Sequence, residues 1–302
     1  MKTRFAYAVA ALQALLVTFL WSTSFLLLKT GLQDLPPVTF AGLRYALASL
    51  CLLPLALRPA HRRVIRQLSR PAWFRLILLG LLLYAITQGA RMLALGRLPG
   101  ATVSLIMSST TVIVAILGIP LLAERPTVLQ WLGILVNLAG AAVYFYPASF
   151  PAGQVTGLIA MGVAVVANAC ASLLGRHINR ARDVPALVVT AISMSIGGFL
   201  LLAAGLASEP FPHLAARHWA IIVWLAVVNT AFSFSLWNHT LRTLSATASN
   251  VIGNTILIQV TILCWLFLGE TRTGREVTGL VVAGVGALIA QLGRARVNRD
   301  RP

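Results

Sequence analysis

The sequence predicts an all-α polytopic membrane protein, with ten transmembrane helices arranged as two inverted five-helix repeats. Three observations predict it. Between Pro126 and Gly175 the chain runs for fifty residues without Asp, Glu, Lys or Arg. Comparable apolar runs recur along most of its 302 residues, of which 58% are hydrophobic and only 10% charged; a soluble domain carries about 25% charged residues. A glutamate-and-glycine pattern then returns at an offset of 146 residues.

A hydrocarbon core about 30 Å thick is crossed by about 20 apolar residues in a helix, so fifty uncharged residues hold two spans and a turn. That turn is Tyr144-Phe145-Tyr146-Pro147-Ala148-Ser149-Phe150-Pro151, aromatic and punctuated by Pro as a membrane interface prefers. The same reading places ten spans, centred near Leu20, Leu47, Ala85, Thr111, Leu138, Ala164, Met194, Val228, Ile258 and Gly284. Strands of a membrane barrel alternate over about 10 residues, whereas these runs are continuous and roughly twice as long. The apolar run from Phe5 to Leu28 follows Lys2 and Arg4 in the manner of a signal sequence. It is too long for one and lacks a cleavage site, so it reads as a retained first span.

Charge then sets orientation, because cytoplasmic loops keep Lys and Arg. The net charge is +17, and threading ten spans puts seventeen basic residues on one side, including Arg58, Arg62, Arg63, Arg66, Arg70 and Arg75. Five fall on the other side, Lys29, Arg97, Arg217, Arg272 and Arg275, with Arg44 and Arg91 inside spans. Both termini are therefore expected in the cytoplasm, in a multi-pass protein of the cell inner (plasma) membrane. Nucleic acid is excluded as a partner, since the basic residues occupy short loops and the tail and form no basic face. Cys51, Cys170 and Cys264 all lie within apolar spans, where each reads as a small buried hydrophobe.

Glu124 is followed by Gly133 and Gly140, and Glu270 at the same intervals by Gly279 and Gly286. Leu98 to Ser104 is echoed by Leu244 to Ser249, and Trp21 to Lys29 more faintly by Asn168 to Arg176. The chain thus divides into repeats 1–148 and 149–302. Five spans per repeat make the second copy enter the membrane opposite to the first, an arrangement typical of secondary transporters. With Trp21-Ser22-Thr23-Ser24-Phe25 in span one, Pro37 and Arg44 in span two, and the two Glu…Gly…Gly signatures, the sequence resembles the drug/metabolite transporter superfamily, built from two EamA-type repeats. That resemblance implies a small organic solute carried across a bacterial inner membrane, most often outward, and no cofactor.

Polar residues inside spans are the candidates for meeting a solute, because lipid gives them no partner. Four helical stripes stand out: Ser104, Ser108 and Thr111; Tyr84, Gln88 and Arg91; Asn229, Ser233 and Trp237; Asn168 and Ser172. Trp21, Ser24, Arg44 and Asn254 complete the set. Facing inward they would line a polar cavity with aromatic walls; facing one another they would be glue between helices. Arg44 costs about 2.5 to 3.5 kcal/mol at midspan. It either attracts a substrate anion or snorkels to pin helix-end carbonyls.

All seven acids, Asp34, Glu124, Asp183, Glu209, Glu270, Glu276 and Asp300, fall at span edges or in loops. Without a midspan carboxylate, cationic cargo is disfavoured, and exchange or facilitated diffusion is favoured over strict proton coupling. His239, at the end of span eight, is the remaining proton-carrier candidate. Glu124 and Glu270 each precede a helix, whose positive end a carboxylate favours. The repeated glycines, and the Gly153/Gly157 pair, are expected to let helices approach closely, with homodimerisation left open. The five histidines show no metal-ligand spacing; His213 and His218 stand in an external loop. An amino-acid-like metabolite, neutral or anionic, is the expected cargo. The alternatives are a membrane scaffold or receptor, or a membrane-embedded enzyme.

Overall fold

The computed structural model describes residues 2–122, 127–147, 152–181, 184–240, 243–244 and 246–299. Every regular element among these residues is helical, as lipid demands of backbone groups that find no water to bond. Among the described residues, eight helical segments are long and apolar enough to cross a membrane. They are Ala6–Gly31, Pro37–Ala56, Arg70–Leu95, Gly100–Ile119, Val128–Phe145, Ala152–Gly175, Ala186–Ser208 and Ala216–Trp237. Each contains one of the first eight predicted centres. The chain continues as helices Ala246–Leu268 and Gly274–Arg299, which contain Ile258 and Gly284.

Local chemistry sets the helix starts. Pro37 opens its helix at a position where no backbone donor is needed, as do Pro59 and, one residue on, Pro71. Thr127 and Gln130 form a reciprocal capping box, with bonds of 2.8 Å and 3.2 Å between backbone N–H and side-chain oxygen. Thr273 and Glu276 repeat the device before the Gly274–Arg299 helix, at 2.7 Å and 3.3 Å.

The helices pack into two compact units, each drawing on both halves of the sequence. One gathers Met1–Leu26, Leu98–Val155 and Ser233–Pro302. Its centre is the crossing of Val128–Phe145 with Gly274–Arg299. A Cβ on Gly133 would lie 2.2 Å from the Ala290 nitrogen, and one on Gly140 2.2 Å from the Ala283 nitrogen. A Cβ on Gly286 would lie 2.2 Å from the Asn137 nitrogen and one on Gly279 2.6 Å from that of Tyr144. Advancing seven residues along one helix retreats seven along the other, so the two run in opposite directions. The repeated glycines meet one another, Gly133 with Gly286 and Gly140 with Gly279, and backbone contacts backbone.

The other unit gathers Leu27–Arg97 and Thr156–Phe232. Here Pro37–Ala56 lies against Ala186–Ser208, with Gly42 against the Leu202 backbone and Gly198 against Tyr45 and Ala46. Leu76, Leu79, Ala171, Val188, Val189 and Ile192 form an apolar core beside them. The Glu209 carboxylate, just past one helix, accepts from the N–H groups of Val38 at 3.0 Å and Thr39 at 2.7 Å, capping the other. Asp34 accepts from Arg217 at 2.9 Å and lies 3.4 Å from His218 Nε2. Two helices of this unit widen into a π turn, at Leu81–Ile86 and at Val227–Phe232. The interval between the two turns is again 146 residues.

Two expectations need correction. Cys264 is buried and Cys170 half-buried, but Cys51 is exposed, on the outer side of its helix. Glu270 serves a helix other than the one it precedes. Its carboxylate accepts from the Gly100 N–H at 3.0 Å, at the start of Gly100–Ser108, and is paired with Arg272 at 2.6 Å. Glu276 already occupies the start of the following helix. Glu124 lies outside the described residues.

Candidate functional site

Polar groups collect at one place in each unit. In the second unit, Arg44 is the eighth residue of the Pro37–Ala56 helix and is only 4% exposed. Its Nε donates to Thr230 Oγ1 at 3.1 Å, and its guanidinium carbon lies 5.1 Å from the Tyr45 ring centre, within cation–π reach. Tyr45 in turn packs against Tyr84, ring centres 5.7 Å apart. Thr230 and Tyr84 sit in the two wide turns, as does Asn229, which is fully buried. A π turn re-aims a side chain and loosens the backbone ladder, and such turns are frequent at functional sites. Thr230 bonds the Leu225 carbonyl five residues back, at 2.8 Å, satisfying an acceptor near the widened ladder.

Arg44 therefore does not snorkel. No ion pair reaches it among the described residues, so its charge rests on a hydroxyl and an aromatic face. Gln88 and Asn168 are half-buried in the same unit, while Ser172 is exposed.

In the first unit, Trp21 lies between Phe234 and Trp237, with ring centres 5.4 Å and 5.3 Å away. Tilted rings at this separation give a stiff aromatic wall. Next to Trp21 in the chain, Ser22 donates to Gln259 Oε1 at 2.9 Å. Gln259 Nε2 reaches Thr18 at 3.3 Å and Thr255 at 3.1 Å, which closes a network of three hydroxyls around one amide. Thr18, Ser22, Thr255 and Gln259 were absent from the predicted set. The signal was available, since Thr255 and Gln259 stand at i and i+4 near the centre of span nine.

Several predicted hydroxyls spend their proton on their own helix, as serine and threonine do where no water competes. Ser24 donates to the Trp21 carbonyl at 2.5 Å and Ser108 to that of Leu105 at 2.7 Å. Their lone pairs stay available; Ser108 accepts from Asn137 Nδ2 at 3.3 Å. Asn137 also donates to the Ala283 carbonyl at 2.9 Å, across the glycine crossing. Ser104 is buried, with no bond to its hydroxyl among the described residues, and Thr111 is half-buried. Ser233 is buried and His239 exposed at the end of Ser233–Thr240. The Asn254 side chain lies outside the described residues. No cluster of His, Cys, Asp or Glu able to hold a metal occurs among them.

Comparison with known proteins fits this chemistry. The model of the EamA-like transporter family matches the chain twice, over residues 8–146 and 155–291. A probable amino-acid metabolite efflux pump of Salmonella typhimurium is 27% identical over 300 residues, covering 93% of this chain and 94% of its own. An uncharacterized inner membrane transporter of Escherichia coli, YedA, is 23% identical, covering 91% and 88%. Protein PecM of Dickeya dadantii is 24% identical, covering 75% and 76%. A solved crystal structure matches with a TM-score of 0.68 and 21% identity over 95% of this chain and 99% of that one, which shows the fold alone.

Proposed function

The chain belongs to the EamA-like transporter family, and from that premise we propose that it exports a small amino-acid-like metabolite, neutral or anionic, by alternating access between inverted repeats 1–148 and 149–302. Arg44 is the observation that carries the choice of cargo. A buried cation with no carboxylate beside it among the described residues is a ready partner for the carboxylate of a solute. Hydroxyls whose protons are spent on helix carbonyls act as acceptors, the groups that an ammonium requires. The Salmonella relative, named an amino-acid metabolite efflux pump, supports the outward direction.

Ten spans with both termini cytoplasmic are part of this reading. Helices Ala246–Leu268 and Gly274–Arg299 supply spans nine and ten. The shared interval of the wide turns and the glycines, with the antiparallel glycine crossing, supports inverted repeats. The described carboxylates Asp34, Glu209, Glu270 and Glu276 all sit at helix ends or in loops, which favours exchange or uncoupled movement over proton coupling.

The bond from Arg44 to Thr230 also supports a second reading, in which Arg44 is a structural pin. Efflux from proteoliposomes loaded with labelled amino acids, with and without a pH gradient, separates the two. Under the proposal one class of amino acid leaves in a protein-dependent way, and Arg44→Gln lowers that rate about tenfold or more while the protein stays folded. If the substitution instead lowers the melting temperature and leaves the rate per folded molecule unchanged, Arg44 is the pin. If no member of the pool moves, the amino-acid reading fails.

A further inference from the structure

We propose that the arginine-rich turn between the Pro37–Ala56 and Arg70–Leu95 helices is a binding site for the headgroup of an anionic phospholipid. Six arginines, Arg58, Arg62, Arg63, Arg66, Arg70 and Arg75, occupy eighteen residues, and the sequence has no Asp or Glu between Asp34 and Glu124. All six are exposed. Among the described residues none of them pairs with a carboxylate.

The turn is built around a short helix, Pro59–Arg66. Ile65, with Leu68 just beyond the helix, packs against the core formed by Leu76, Leu79, Val188 and Val189. Arg62, Arg63 and Arg66 are left facing outward. Arg62 is further fixed by its Nε, which donates to the Leu57 carbonyl at 2.8 Å, so the outer edge of its guanidinium is presented without further partners among the described residues. Two clefts share Arg62 and Arg66. One, of about 430 Å³, is lined by Pro59, Arg62, Arg63, Arg66 and Gln67. The other, of about 260 Å³, adds Leu57 and Ile65 to the shared pair.

A cleft edged by three arginines and a glutamine, joined through Arg62 and Arg66 to a more apolar one, matches a molecule with a phosphate at one end and hydrocarbon at the other. Guanidinium forks suit phosphate oxygens bidentately, which an ammonium does not. The position fits too. The turn lies within a few residues of two span ends, and Trp73 and Phe74 are exposed beside it, as aromatic side chains are at the headgroup level. A membrane-bound phosphate is therefore favoured over a free one, which would gain nothing from Leu57, Ile65, Trp73 or Phe74. Polybasic segments next to a span attract anionic lipid.

The test is a lipid titration of the purified full-length protein in detergent, followed by native mass spectrometry, with dioleoylphosphatidylglycerol against dioleoylphosphatidylcholine. The proposal expects phosphatidylglycerol to bind about tenfold more tightly. The double variant Arg63→Gln/Arg66→Gln should lose that preference and keep its phosphatidylcholine binding, which also reports that it is folded. Arg63→Lys/Arg66→Lys, which retains charge and loses the fork, should fall between them. Arg97→Gln, an exposed arginine of another loop, should change nothing. Equal binding of the two lipids, or an undiminished preference in the Gln double variant, overturns the site. Displacement of phosphatidylglycerol by millimolar inorganic phosphate would overturn the lipid as its occupant and assign the cleft to a free anion.

Discussion

Two helix pairs in this protein rely on backbone meeting backbone, yet they are built to different ends. In the pair Val128–Phe145 with Gly274–Arg299, glycine answers glycine from the opposite half of the chain. The main polar side chain there, Asn137, is spent on Ala283 of the facing helix and on Ser108. In the pair Pro37–Ala56 with Ala186–Ser208, glycines meet larger partners, Gly42 against Leu202 and Gly205 against Thr39. That leaves Arg44 and Tyr45 free to engage other helices of the same unit, through Thr230 and Tyr84. The first pair closes on itself and is a support. The second uses close approach to hold a charge inside a membrane segment.

The sharpest way to break this comparison is Gly140→Val, which drives a branched side chain into the Ala283 backbone. Overpacking of this kind should cost about 3 kcal/mol or more and abolish the monodisperse peak in size-exclusion chromatography. Glu209→Gln attacks the second pair at its cap. Losing a charge-assisted bond to the start of the Pro37–Ala56 helix should cost about 1 to 2 kcal/mol, read as a lower melting temperature in detergent. Asn137→Leu removes the polar link of the first pair and should cost only about 0.6 kcal/mol, the usual worth of a hydrogen bond between membrane helices. A larger loss would mean that the glycines alone do not hold that crossing. Gly162→Ala, where an added Cβ meets nothing within 4 Å, should stabilise by about 0.5 kcal/mol through helix propensity. A loss there would reveal packing that the pairwise view of the glycines leaves out.

Spans were legible in the sequence because hydrocarbon filters composition over about 20 residues at a time, so each centre was found within a helix. The glycine spacing was legible for a related reason, since close crossing leaves no room for a Cβ. Local pairing was harder. The stripes Tyr84, Gln88, Arg91 and Asn229, Ser233, Trp237 were counted on an unbroken α-helical period, but each crosses or leaves a π turn, where one extra residue shifts the faces that follow. Composition does not announce that turn. Gln259 was missed although Thr255 stands one turn before it, because its other two partners, Thr18 and Ser22, lie more than 230 residues away in the chain. Ser172 shows the converse: a polar side chain on a stripe that the fold leaves exposed. Glu270 was read with its sequence neighbour, whereas the helix start it caps lies 170 residues earlier in the chain.

The matching wide turns also bear on ancestry. An extra residue accommodated within a helix is a local defect, and two independent insertions would have no reason to fall 146 residues apart. If a five-helix ancestor carried that defect before its gene doubled, both descendants would inherit it at the spacing that the glycines also keep. Divergence would then have placed Tyr84 in one copy and Asn229 with Thr230 in the other. One inherited irregularity would thus have become the place where the two halves of the chain ceased to be equivalent.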